Sequence, residues 1–210
     1  MAVAPRIQAK SGLRARKQKR TRNAIWDAAI DLFAEKGFDG TTIDEIAQAA
    51  EVSRRSFFRY FESKNDLMAQ PIANMTAAIA DAVEQCPRSF SSSQLLRHVV
   101  LTLARESAAE PRTPKVMEIA ARYPAARDAL VSRMACVQNE IEEAFRRRSK
   151  NVFTTQVLSS MTVSALSLAT RRWFTSGQTD ITVTVQQVFS AIAEVACGID
   201  QPNNPKGKLK

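Results

Sequence analysis

Within the ten residues VSRRSFFRYF, at 52–61, stand three arginines and four aromatic rings. Guanidinium groups present a planar fork of donors that matches phosphate oxygens and the acceptor edge of guanine. Aromatic rings pack beside bases or against sugar. The chemistry on offer is non-covalent recognition of a polyanion. Covalent chemistry finds little support elsewhere in the chain. His98 is the only histidine, and Cys86, Cys136 and Cys197 stand far apart, outside CxxC or zinc-ligand spacing. No Gly-rich phosphate loop or nucleophile motif accompanies them. The residues argue against an enzyme, and no metal site or resident cofactor is expected. His98 reads as a partly buried helix residue, with a ligand contact as the alternative.

Charge placement supports the same direction. The 210 residues carry 30 Lys/Arg against 21 Asp/Glu, a net charge of +9. Residues 1–22 hold eight of the basic groups and no acid, and Lys206, Lys208 and Lys210 end the chain. The body between them is slightly acidic, so the basic surplus lies in the two ends. Such ends are expected to be disordered arms attracted to phosphate backbones. The charged N-terminus has no apolar h-region, and no run of 18 uninterrupted apolar residues exists, so neither a secretory signal nor a membrane span is expected. A cytoplasmic, reducing setting follows.

The cluster must be held by something, and helical patterns dominate the chain. TRNAIWDAAIDLFAEKG reads as a first helix, with Ile25, Ala28, Ala29, Leu32 and Phe33 on one face and Gly37 ending it. Thr42 and Glu45 have capping-box spacing for a second helix from Ile43 to about Ala50. Glu51-Val52 makes a tight connection, and Ser53 caps a third helix, with Val52 and Phe57 at hydrophobic-staple positions. Ser63 caps a fourth helix, and Pro71 either kinks it or marks a break and restart. Further helices are expected near 72–85, 92–109, 114–122, 124–148, 151–176 and 181–198. The fold class is all-α. The expected organisation is a basic arm at 1–20, a helix-turn-helix domain at 21–67, a larger helical domain at 68–200 and a disordered basic tail at 201–210.

Two helices joined by a short turn form a helix-turn-helix, whose second helix presents its N-terminal residues to base edges in the major groove. Phe57 and Phe61 would face inward with Tyr60 beside them, leaving Arg54, Arg55, Phe58 and Arg59 outward. Arg54 and Arg55, and Lys64 on the next helix, place positive charge at helix starts, each at a cost of about 0.3–1 kcal/mol unless an anion approaches. A phosphate would reverse that cost. The alternative is a solvated arginine face on a small helical hairpin.

The run from about Arg20 to Leu67 resembles the DNA-binding domain of the tetracycline-repressor (TetR) family. The matching pieces are A-x-x-L-F-x-x-x-G-F at 29–38, TTIDEIA at 41–47, VS at 52–53 and YFxSKxDL at 60–67. The resemblance implies that Thr42, the Tyr60-Phe61 end of the third helix and Lys64 hold phosphates while the third helix reads bases. The DNA-contacting set is then Arg20, Thr42, Ser53, Arg54, Arg55, Ser56, Phe58, Arg59, Tyr60 and Lys64. Two positions depart from the family pattern: Arg55 replaces a usual glycine, and Phe58 replaces a tyrosine whose hydroxyl would bind phosphate. The RRSFFRYF form, with RRWFTSG at 171–177, is similar to a subset of actinobacterial regulators that includes those of mycofactocin systems.

The resemblance further implies a ligand pocket and a dimer interface in the larger domain. Pocket candidates are Met75, Ile79, Leu96, Val100, Leu103, Met117, Met134 and Val137, apolar residues that suit a deformable cavity or an ordinary core. Interface candidates are Val157, Met161, Ala165 and Leu168 on one helix and Val185, Val188 and Ile192 on the next, with intrachain core as the alternative. The expected partners are double-stranded DNA, a second copy of the chain and an unidentified small-molecule effector. The function implied is a homodimeric repressor released from a palindromic operator by a small hydrophobic effector. The alternative is a ligand-independent regulator or activator whose C-terminal domain only dimerises or binds a protein.

Overall fold

The computed structural model describes residues 6–199, with side chains from Leu13 to Cys197 except at 74, 76 and 77. The expected tail at 201–210 lies outside the described residues. The chain is all-α, with no strand among the described residues. Its helices are α1 (Arg6–Lys36), α2 (Ile43–Ala49), α3 (Arg54–Phe58), α4 (Lys64–Met68) and α5 (Gln70–Gln85). They continue as α6 (Ser92–Ala109), α7 (Thr113–Arg122), α8 (Pro124–Arg146), α9 (Val152–Ser176) and α10 (Ile181–Ile199).

The basic arm differs from expectation. Rather than a disordered segment before the first helix, residues from Arg6 are part of α1 itself. Arg, Lys, Gln and Ala are all strong helix formers, so a segment too charged to pack can still extend a helix that is nucleated and anchored downstream. Pro71 is the second residue of α5, and α4 ends one residue before that helix starts, with Ala69 as its C-cap. The proline therefore sits in a first turn, where its missing N–H is not needed, and the break-and-restart reading holds.

The chain divides into two compact units. One comprises the residues up to Asn74 together with Pro111–Val137; the other comprises Met75–Glu110 and the chain from Gln138 onward. The first unit contains the expected helix-turn-helix span at 21–67 and adds α7 and part of α8 to it. The reason is visible in the core of the first unit. Ile25, Trp26, Ala29, Ile30 and Phe33 of α1 pack not only with Ile46, Phe57, Phe61 and Leu67 but also with Val116, Ile119 and Ala120 of α7. Ion pairs reinforce α1 against α7: Asp27 with Arg112, and Asp31 with Lys115 at 2.5 Å. The Arg112 guanidinium also lies 4.5 Å from the Trp26 ring. Gly37 ends α1 at φ 86°, which favours glycine, and a Cβ there would lie 2.9 Å from the Tyr123 hydroxyl, so a larger residue would also displace that ring.

In the second unit α6, α9 and α10 pack on one another. Met75, Ile79, Leu96, Val100 and Leu103 are buried there, whereas Met117, Met134 and Val137 belong to the first unit, the first two half-buried and the last buried. The expected stripe of α9 is divided between surface and core. Of its expected stripe, Ala165 is buried, Met161 is half-buried, and Val157 and Leu168 are 40% and 41% exposed. The inward face carries Thr155, Ser159 and Thr162, fully buried. Each hydroxyl donates to a carbonyl of its own helix: Thr155 to Val152 at 2.7 Å, Ser159 to Gln156 at 3.0 Å and Thr162 to Leu158 at 2.7 Å. That local pairing removes the cost of burying them. On α10, Val185 and Val188 are core residues and Ile192 is half-buried, so those valines are unavailable to a partner. By length and composition α9 is apolar enough to cross a membrane, but its inward face packs in the second unit's core.

Candidate nucleic-acid interface

The site is built on α2, α3 and the turn between them. Thr42 caps α2 in a full capping box: its hydroxyl accepts from the Glu45 N–H at 3.2 Å, and the Glu45 carboxylate accepts the Thr42 N–H at 2.8 Å. The Thr42 hydroxyl itself donates to Glu45 Oε2 at 2.9 Å. Lys36, 2.7 Å from the Glu45 carboxylate, holds that acid down to a pKa of about 2, with the Thr42 backbone and side-chain hydrogen bonds adding to the effect. The Lys36 ammonium is raised in turn by Glu45.

α2 ends in a paired-hydrogen-bond turn. The Val52 N–H donates to the Ala47 carbonyl at 2.9 Å and the Glu51 N–H to the Gln48 carbonyl at 3.0 Å, the two bonds of a Schellman motif. That motif needs a left-handed residue after the cap, and Glu51 fills it at φ 54°. Ser53 then caps α3, accepting from the Ser56 N–H at 3.1 Å and donating to the Ser56 hydroxyl at 3.0 Å. The helix is short. It stops at Phe58, and Tyr60 and Phe61 lie in the following turn, each donating its N–H to the Phe57 carbonyl, at 2.9 and 3.1 Å.

The aromatic cluster splits by face. Phe57 and Phe61 are buried and Tyr60 is half-buried, while Arg54, Arg55, Phe58 and Arg59 are exposed. Phe58 is 45% exposed and meets Phe57 edge-on, with ring centroids 5.4 Å apart. The Arg59 guanidinium stands over the Tyr60 ring at 4.9 Å and donates to its hydroxyl at 3.2 Å. Arg55 has no side-chain partner among the described residues. Arg54 has one: its Nη1 donates to both carboxylate oxygens of Asp44, at 2.7 and 2.6 Å. The anion that offsets this first-turn charge is therefore supplied by α2.

Lys64 is likewise engaged within the chain. Its ammonium donates to the carbonyls of Phe38 and Thr41, each at 2.9 Å, and lies 5.0 Å from the Phe38 ring centre. Arg20 is exposed on α1. It lines a hollow of about 560 Å³ whose walls are Leu13, Arg16, Lys17, Thr21 and Ala24 on one side and Ala50, Glu51 and Val52 of the turn on the other. The structure thus gathers Thr42, Ser53, Arg54, Arg55, Ser56, Phe58 and Arg59 on and around two helix starts, and sets Arg20 and Lys64 against the flanking α1 and the α1–α2 loop.

Two residues with no sequence signal complete the frame. Arg22 and Asp44 find their partners through the fold, 48 and ten positions along the chain.

Comparison with known proteins gives the frame its relatives. Residues 25–70 match the family described as bacterial regulatory proteins, tetR family. TcmR of Streptomyces glaucescens, an HTH-type transcriptional regulator, is 39% identical over 85 residues, 40% of this chain. The match spans only 38% of the length of TcmR. MftR of Mycobacterium tuberculosis, named as a mycofactocin biosynthesis transcriptional regulator, is 25% identical over 192 residues, 90% of this chain and 96% of its own. Among solved structures, NalD of Pseudomonas aeruginosa, the secondary repressor of the MexAB-OprM efflux pump, has the same fold. It superposes with a TM-score of 0.58 at 17% identity, covering 84% of this chain and 96% of its own. These relatives are named as regulators or repressors, not as enzymes.

Proposed function

We infer, from the match of residues 25–70 to the tetR family of bacterial regulatory proteins, that the protein is a sequence-specific, homodimeric transcriptional repressor working in the cytoplasm. The observation that carries this reading is the outward face of α3. Arg54, Arg55, Phe58 and Arg59 project from a frame fixed by a capping box, a Schellman turn and the buried rings of Phe57 and Phe61. Arg55 is the side chain best placed to read a base. Arg20 and its neighbours on α1 supply phosphate contacts. The α1 arm is helical, and a helix about 10–12 Å across does not fit a minor groove about 6 Å wide, so the arm follows the phosphates instead.

Dimerisation is proposed through the outer face of α9, with the exposed Val157 and Leu168 and the half-buried Met161 as its apolar contacts and the half-buried Ile192 of α10 beside them. Small-molecule release is proposed on the pattern of a ligand that binds one conformation of the dimer better than the other. The effector is expected to be small and hydrophobic. Titration of the full chain, wild type against Arg55→Ala, on a preferred duplex and on random DNA tests the central part. Loss confined to the preferred duplex supports base reading, and equal loss on both would sink it.

A further inference from the structure

Asp44 is an unexpected residue to find beside DNA. A carboxylate in the first turn of α2, beside the outward face proposed to meet DNA, would repel phosphates unless its charge were matched. Arg54 matches it. Both oxygens accept from one nitrogen, Nη1, at 2.7 and 2.6 Å. The guanidinium carbon lies 5.6 Å from the Phe58 ring centre, and Phe58 in turn rests edge-on against the fully buried Phe57. The arginine is therefore bracketed from two sides: by a carboxylate on α2 and by a ring seated on the core. Their side chains are 59% and 66% exposed, so the ion pair adds little to stability. Its effect is on direction.

A guanidinium offers two donor pairs. With Nη1 committed to Asp44, the remaining Nε–Nη2 edge has no partner among the described residues. That edge matches the O6 and N7 acceptors of guanine in the major groove. Without the bracket, a long arginine side chain on a five-residue helix is free to swing to a phosphate, which adds affinity without sequence information.

We propose that Asp44 is a positioning residue that turns the Nε–Nη2 edge of Arg54 toward one guanine in each half-site and so sets the base accepted there. The proposal rests on the DNA-reading function above and adds its specificity device.

The test uses the full chain with four duplexes that differ only at the base pair where Arg54→Ala abolishes preference. Asp44→Ala is expected to reduce the preference for guanine about tenfold while leaving binding to random duplex equal or slightly stronger. Asp44→Asn, which keeps one acceptor, restores part of that preference. In an Arg54→Ala background, Asp44→Ala strengthens binding to all four duplexes alike, by removing an unmatched carboxylate, and creates no base preference, because its effect on preference passes through the arginine. An Asp44→Ala protein that binds all four duplexes more tightly by one common factor would overturn the proposal, leaving Asp44 as a mere electrostatic brake. So would a change in base preference at that pair caused by Asp44→Ala in the Arg54→Ala background. Wild-type protein with no base preference at all would overturn the DNA-reading function, and this inference with it. Circular dichroism of each variant checks that the folded helical content is retained.

Discussion

The Arg22 guanidinium and the Gln70 side chain form a fork: Nη2 and Nε both donate to Oε1, at 2.6 and 3.1 Å. The third donor, Nη1, reaches the Tyr60 carbonyl at 3.2 Å, and the Phe61 ring centre lies 4.7 Å from the guanidinium carbon. One side chain of α1 thus fastens both the turn after α3 and the start of α5. Arg22→Met removes three charged hydrogen bonds and a cation–π contact from a half-buried setting. It is expected to cost about 2–3 kcal/mol, read as a lower midpoint in urea unfolding.

Lys64 gives a second test, because its ammonium already serves the α1–α2 loop. Lys64→Met leaves the Phe38 and Thr41 carbonyls without that donor and should destabilise the fold by about 1–3 kcal/mol. If Lys64 instead acted only on phosphate, its loss would leave the thermal midpoint unchanged and reduce the salt slope of DNA binding by about one unit.

Glu51 occupies the left-handed turn position at φ 54°, where a side chain is strained. Because the residue is exposed, Glu51→Gly should raise stability, by up to about 1 kcal/mol, after allowance for glycine's greater freedom in the unfolded chain. A lowered urea midpoint would show that the glutamate side chain makes a contribution larger than its strain.

Acid sensitivity follows from the Lys36–Glu45–Thr42 cap. The folded carboxyl titrates at about 2 against an ordinary 4.5, so its stabilisation is complete above pH 4.5 and is lost as pH falls from there toward 2. The Lys36 shift has the opposite sense: its contribution is complete below 10.5 and fades only as pH rises beyond that value. The difference in thermal midpoint between wild type and Glu45→Gln should therefore be constant from pH 5 to pH 9 and shrink on going to pH 3. A difference that persisted unchanged at pH 3 would rule out this coupling.

Much of the frame is legible without coordinates because its signals are local. The capping spacing of Thr42 and Glu45, the cap at Ser53 and the alternation of Phe57 and Phe61 with outward arginines all lie within a turn or two of chain. What stays hidden is what the fold brings from elsewhere. Nothing near Arg22 in sequence announces Gln70, and nothing marks Asp44 as the counter-ion of Arg54. The buried hydroxyls of α9 mislead for a related reason: Thr155, Ser159 and Thr162 read as polar, yet each satisfies itself on its own helix and turns inward. The arm before Arg22 misleads through charge, which predicts poor packing but not the absence of helix.

Selection of bound sequences from a random duplex library, with the full chain at physiological salt, tests most directly whether two α3 helices read DNA as a pair. The expected result is an enriched palindrome whose half-sites lie one helical turn apart, about 34–36 Å, with guanine at a position that Arg54 governs. Enrichment of no sequence, with binding that disappears as salt rises, would mean that only the basic face of α1 holds DNA. That result would contradict base reading by α3.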